Sequence, residues 1–469
     1  MENLPKIGLF VSALLEDEWN KSGNLRPKAV KALDEMAEKL KRIGQIISPG
    51  LIETIQQAEN ARRYFIQEDV DLILVMQLCY TQGIIPLRAL QNIEFPILIW
   101  NSQLLKTLPI DAGWDTILVN SGVTGIPELT SALVRSGMEF YFISGHFADQ
   151  QAWQELKEYA QAAYIKKLLT RAKVGIIGHP YKWMTDLMVD QLDVFNQFGV
   201  IVDYIEQFEF SRLMEQLKDD EEVNKLAEGL AARYNVQNLD KQIYLRSVRY
   251  ALSVEKVVTE HKVDGLAFFE QGLLDEPAVG ITGALGMSLL FTEKVPCSSE
   301  SDLLTVIMML IQQYIAGSST FLEHYGMDFE HNAALMAHDS FGNVELADEE
   351  SSVVIEPSIF YKGSAGYGAA LRFSYKPGDV TLSSLCIAPP NAENKFRILT
   401  SEGTSEVFTP RPIPAPQMLF RPNLGDINTF YHKWCTSGGP HHLAGCYGHY
   451  NSVLRKLAEL INIDCYIIC

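Results

Sequence analysis

Between Phe321 and His338 the sequence reads FLEHYGMDFEHNAALMAH, which sets His324, His331 and His338 seven residues apart among Glu323, Asp328 and Glu330. The chain has ten histidines, and seven of them follow residue 320, the others being His432, His441, His442 and His449. Neutral imidazole is a common metal ligand and proton carrier, while carboxylates serve as oxygen donors and as general acids or bases. Their concentration in one third of the chain points to a divalent-metal centre or a proton-transfer site. His441 and His442 lie in SGGPHHLAGCYGHY, a Gly/Pro-rich loop able to carry imidazoles to a distant carboxylate. Upstream, PCSSESDLLTVIMML places Glu300 and Asp302 at the opening of an apolar helix, with serines beside them as candidate caps.

Each of these residues also has a structural reading. Glu300 fits a first-turn helix carboxylate, and a lone histidine fits a hydrogen-bonded structural role. The seven-residue histidine spacing fits one helix stripe, although the GMD and HNAA segments oppose a continuous helix. No HExxH or CxxC spacing is present. GIIGHP lacks the third glycine of a dinucleotide loop, and KGSAGYGAA lacks the GK[ST] of a phosphate loop. There is no GxSxG elbow. Local patterns alone leave the site open.

The elements that must position these groups change character along the chain. KIGLFVSAL, DLILVMQLC, PILIWNSQ and DTILVN alternate with helix-like stretches, the rhythm of a parallel α/β layer. A second series opens at KVGIIGHP and runs through VIVDYIEQ to VDGLAFFEQG. Beyond about Ser340, SSVVIEPSIF, ALRFSYKPGDVTLSSLCIAP and KFRILTSEGTSEVFTP alternate with turn residues as antiparallel strands do, before a closing helix NSVLRKLAELINID. The expected class is α/β: two Rossmann-like parallel-sheet domains at 1–170 and 171–325, then a β-rich, barrel-like domain at 326–469. Hydrophobic content of 47% and charged content of 21% suit sizeable cores, and a length of 469 residues asks for more than one. A net charge of −19 opposes a nucleic-acid partner. No apolar stretch long enough to span a bilayer is present, and seven scattered cysteines suit a reduced, cytoplasmic protein.

Taken in order, ESDLLTVIMML, STFLEHYGMDFE…LMAHDS and SGGPHHLAGCYGHY resemble the active-site segments of the L-arabinose isomerases, within the wider L-fucose and L-arabinose isomerase group. SGHFADQQAWQELKEYAQAA is similar to the segment that precedes that family's second domain. The resemblance implies a divalent metal, most often Mn2+, held by Glu300, Glu323, His338 and His442. It implies Glu300 and Glu323 as the acid/base pair of a cis-enediol aldose–ketose isomerisation, and His441 beside the substrate. His324 and His331 become bystanders, and Glu330 a rival of Glu323. A homo-oligomer, trimer or hexamer, is implied, with His146 and the Met76–Gln82 segment reaching a neighbour's pocket. The departures are specific. SALLEDEW replaces the family's Ser-Gln-His-Leu-Tyr-Gly stretch, and serines replace glycines around Glu300. NSGVTGIPEL lacks an expected histidine, and two residues are missing ahead of His338. The resemblance therefore implies a kept metal centre and a changed sugar-reading surface. The same scaffold would also suit a non-catalytic sugar-binding or regulatory protein, or a metal-dependent sugar epimerase.

Overall fold

The computed structural model describes residues 4–14, 17, 21, 25–218, 220–349, 352–359 and 365–469. Half of SALLEDEW and residues 362–364 of KGSAGYGAA lie outside them. The chain divides into two compact units, Met1–Lys167 and Leu168–Cys469.

The first unit is built on a parallel sheet. Its strands are β1 (Lys6–Ser12), β2 (Gln45–Ile47), β3 (Leu51–Ile52), β4 (Leu72–Gln77), β5 (Ile97–Asn101) and β6 (Tyr141–Ser144), in the order β2-β1-β4-β5-β6 with β3 also on β1. All six residues of LILVMQ are buried, as expected of a central strand covered on both faces. The helix Ile55–Glu68 starts at a capping box in which the Thr54 hydroxyl accepts from the Gln57 N–H and the Gln57 side chain returns to the Thr54 N–H. Lys167 closes the unit by pairing with Asp69 and Asp71 at 2.9 and 2.8 Å.

The second unit opens with another parallel sheet. Strands β7 (Lys173–Ile177), β8 (Ile201–Ile205), β10 (Gly265–Phe268) and β11 (Cys297–Ser298) run in the order β11-β10-β7-β8. A three-stranded side sheet joins β9 (Asn235–Val236), β14 (Val354–Ile359) and β15 (Ala365–Arg372). The remaining strands form a closed antiparallel barrel: β12 (Thr320–Asp328), β13 (Ala333–Ala337), β16 (Gly378–Ile387), β17 (Phe396–Glu406), β18 (Gln417–Pro422) and β19 (His442–Tyr447). The order β16-β19-β12-β13-β18-β17 closes through β16–β17, which leaves these six strands no free edge; β20 (Asp464–Ile467) adds in parallel to β17. This is the expected class, parallel α/β sheets followed by an antiparallel barrel. The closing helix ends earlier than the sequence suggests, at Leu460, because Asp464–Ile467 is taken up as a strand.

One helix ties sheet and barrel together. Leu303–Ala316 (LLTVIMMLIQQYIA) is buried at every position from Leu303 to Gln312 and again at Ile315, as a helix packed between two layers must be. On the sheet side a Cβ at Gly265 would come within 2.6 Å of Val306 Cγ1, so this glycine is what lets the helix sit down on β10. On the barrel side Gln312 donates to the carbonyls of Ala444 and Thr381 at 3.1 and 3.3 Å. Among the described residues no helix is long and apolar enough to cross a membrane.

Candidate metal centre

The histidine segment is a strand, a turn and a strand. β12 pairs with β13 on one side and β19 on the other, so Glu323 stands opposite both Ala337 and His442. His338 follows Ala337 directly. Alternation sends Leu322 and Leu443, an opposed pair, into the apolar core with Met336, Leu382 and Phe420. Phe321, Glu323 and His442 therefore occupy the other face, where the Phe321 ring lies 4.7 Å from His338 and 4.6 Å from His442.

Glu300 arrives from the parallel sheet. It sits between β11 and the buried helix with φ 61°, and Ser301 follows with φ 55°, two consecutive left-handed residues of which neither is glycine. The strained turn is pinned: the Ser301 hydroxyl donates to Ile177 O at 3.1 Å and its N–H to Phe268 O at 3.2 Å. Serine thus replaces the conformational freedom of glycine with hydrogen bonds. Two sequence readings are corrected here. Glu300 precedes the helix and is not a first-turn carboxylate, and the helix cap is Asp302 and not a serine, with its Oδ1 accepting from Thr305 N at 3.0 Å. The other oxygen of Asp302 accepts from His442 Nδ1 at 2.9 Å, both side chains being buried.

The result is two triads sharing His442. Ligand atoms of Glu323, His338 and His442 lie within 4.8 Å of one another, and so do those of Glu300, His441 and His442. The four expected ligands do not form one group at that distance; Glu300 joins through His442, its Oε2 being 3.4 Å from Nε2. His338 Nδ1, His442 Nε2 and Glu300 Oε2 are buried without a hydrogen-bond partner. Burial holds His338 well below the usual histidine range, which keeps it neutral, and burial raises the Glu323 carboxyl. His441 differs. Burial would lower it, but Asp186 and Glu300 outweigh that and raise it to about 10. Asp186 Oδ2 takes both the ring Nδ1–H, at 2.5 Å, and the backbone N–H of His441, at 3.1 Å. Buried orphan nitrogens, a carboxylate-anchored imidazole and mixed nitrogen and oxygen donors fit a divalent ion of the manganese type.

The site opens on a cavity of about 300 Å³ whose lining includes Glu270, Gln271, Glu300, Glu323, Tyr325, His338 and Asp339. Glu270 accepts from the Ser299 hydroxyl at 2.6 Å, and burial pushes its carboxyl up to about 8. The other sequence candidates lie elsewhere. Glu330 is exposed between β12 and β13, and His331 pairs locally with Asp328 at 2.9 Å. His324 packs among Tyr431, Trp434 and Phe430, while His432 and His449 are exposed. In the first unit, His146 Nδ1 accepts from Ala148 N at 3.0 Å, and Met76 and Gln77 end β4. Sequence reasoning missed Asp186, Glu270, Gln271 and Asp339. Glu270 and Gln271 had a usable signal, since they follow a parallel strand at its C-terminal end, where α/β sheets place their sites.

Comparison with known proteins bears on this arrangement directly. Residues 318–464, which carry β12, β13 and β19, match the family described as the L-arabinose isomerase C-terminal domain. The L-arabinose isomerase of Nocardioides sp. (strain ATCC BAA-499 / JS614) is 22% identical over 393 residues, covering 81% of this chain and 76% of the relative. Along most of its length the chain is distantly similar to the L-arabinose isomerases. The L-arabinose isomerases of Enterobacter sp. (strain 638) and Escherichia coli (strain K12) are 21% and 20% identical over 391 and 400 residues. These alignments cover 80% and 81% of this chain, and 76% and 77% of the relatives.

Proposed function

We propose that the chain is a metal-dependent aldose–ketose isomerase of a small neutral sugar, with Glu300, Glu323, His338 and His442 holding a divalent ion, most simply Mn2+. The observation that carries this reading is the Glu323, His338 and His442 triad with Glu300 Oε2 3.4 Å from His442 Nε2, and orphaned buried atoms on His338, His442 and Glu300. Such an ion would act as a Lewis acid toward the two sugar oxygens at C1 and C2.

The chain's own groups suit the rest of the chemistry. Asp302 fixes the His442 proton on Nδ1, which leaves the Nε2 lone pair facing Glu300. One of the carboxylates Glu300 and Glu323 takes the proton from C2 of the open-chain aldose and returns it to C1, while the O2 hydroxyl proton passes to O1. Atoms and charge balance, and a cis-enediol lies between. His441, anchored through its ring Nδ1–H and backbone N–H on Asp186, stands beside the ligands and donates a hydrogen bond to a sugar oxygen as charge develops there. The four carboxyl groups and the lack of Lys or Arg along the cavity favour an uncharged sugar. A cytoplasmic homo-oligomer, trimer or hexamer, goes with the same reading, and light scattering measures its size.

The test is manganese calorimetry on wild type and His442→Ala, followed by deuterium incorporation at sugar C2 in heavy water across a panel of aldoses. One site per chain that disappears in the variant, and exchange that depends on manganese, are expected. Intact metal-stripped protein that takes up no divalent ion overturns the reading.

A further inference from the structure

The turn after β10 holds two polar groups that the isomerisation chemistry does not use. Glu270 is 8% exposed and Gln271 follows it on a single helical turn, Glu270–Leu273. Each side chain has one end committed. Glu270 Oε1 takes the Ser299 hydroxyl at 2.6 Å, and Gln271 Nε2 reaches Ser299 Oγ at 3.1 Å and Glu300 Oε1 at 3.4 Å. The other ends, Glu270 Oε2 and Gln271 Oε1, are buried and have no partner, and both residues line the cavity.

Two buried oxygens without partners on neighbouring residues are costly, so the turn is built for a ligand whose groups hydrogen-bond to them. Both ends that are tied lead back to Ser299 and Glu300, which fixes the side chains in place and spares them rotamer entropy on binding. Glu323 comes from a barrel strand, whereas Glu270 and Gln271 follow a strand of the parallel sheet, and all three line the same cavity. We infer that Glu270 and Gln271 form a hydroxyl-reading clamp that sets substrate specificity by hydrogen-bonding hydroxyls of the sugar beyond C1 and C2. The inference rests on the proposed isomerase reading and adds to it the class of substrate: a polyhydroxylated chain with hydroxyls beyond the reacting pair, not a deoxy sugar at the clamped carbon. A site with buried groups awaiting hydroxyls rejects an analogue that lacks one far more strongly than an apolar wall rejects an extra methylene.

The experiment measures binding of four- to six-carbon alditols and their monodeoxy counterparts, by calorimetry in the presence of manganese, to wild type, Glu270→Ala and Glu270→Gln. Manganese affinity is measured alone on the same proteins. In wild type, one deoxy position weakens binding by about 10-fold or more, the worth of a buried hydrogen bond. In Glu270→Ala that penalty disappears while manganese affinity stays within about 3-fold, because Glu270 is no ligand. Glu270→Gln keeps groups for both Ser299 and a hydroxyl and so retains the penalty, and Glu270→Leu replaces the alanine variant if that does not fold. An unchanged deoxy penalty in folded Glu270→Ala or Glu270→Leu overturns the inference while leaving the metal centre standing. Absence of manganese binding in wild type instead overturns the isomerase reading beneath it, so the two failures are distinguishable.

Discussion

Asp302 has two jobs, and two substitutions separate them. Asp302→Asn keeps an oxygen for Thr305 N–H, so the helix cap survives, since asparagine caps as well as aspartate. The amide nitrogen then faces His442 Nδ1, which must become the acceptor and move its proton to Nε2, the atom directed at Glu300. That tautomer cannot ligate through Nε2. Loss of such an anchoring carboxylate lowers metal affinity by about 10–100-fold, or about 1.4–2.7 kcal/mol. Asp302→Ala removes the cap as well, about 0.5–2 kcal/mol. Beyond the cap bond to Thr305 N it strands Thr305 Oγ1 and His442 Nδ1, which bond Asp302 at 2.6 and 2.9 Å. With about 1 kcal/mol or more for each of these two groups, the alanine variant falls by about 2.5–4 kcal/mol in stability. Manganese calorimetry reads the first effect and urea denaturation of the metal-free protein reads the second. Wild-type manganese affinity in Asp302→Asn, or equal destabilisation of the two variants, refutes the division of labour.

Glu323→Gln preserves the shape of the barrel face but removes a base, so deuterium exchange at C2 falls by about 10²–10⁴-fold while the unfolding midpoint holds. Phe321→Ala opens a void where the rings of His338, His442 and Phe341 meet, and costs about 3–5 kcal/mol in denaturant unfolding. His261, at a helix C-terminus, bonds Asp203 and Glu209 at 3.1 Å each; burial opposes its charge, but the two carboxylates win and raise its pKa above 6.5. Its stabilisation is therefore complete below about pH 6.5 and lost as pH rises through the folded value, so His261→Gln lowers the melting temperature at pH 5.5 and hardly at pH 9.

How much of this was legible follows from where each signal lives. Most of the strand rhythms and the turn-rich C-terminal third announced the layers, because continuous apolar runs and alternation are local properties; DTILVN, read as a strand, lies in the helix Trp114–Val119, and the sheet takes Tyr141–Ser144 instead. Glu323, His338 and His442 were reachable only through the order of their segments, since the pairings that bring them together span β12, β13 and β19. Glu300 was visible as a residue but not as a conformation: nothing in SSESD announces two consecutive left-handed residues, whose strain is compensated by contacts to Ile177 and Phe268 over a hundred and about thirty residues away. Asp186 carried no pattern, because its partner His441 lies 255 positions along the chain. The serines were read as caps because propensity favours them there; Asp302 outcompetes them by being already tethered to Thr305 and His442.

The β12–β13 hairpin places Glu323 and His338 at its open end, whereas the turn lies at residues 329–332, with the pair Asp328↔Ala333 closing it. Positions at the open end are fixed by neighbouring strands, Glu323 by His442 and Ala337 by Gln417. Nothing that happens at the turn has to be transmitted to them. A shorter or longer tip therefore leaves Glu323 and His338 where they are. Loop length here is a neutral character, free to drift or to acquire new surface contacts, and a comparison that counts residues from Glu323 to His338 measures the tip and not the centre.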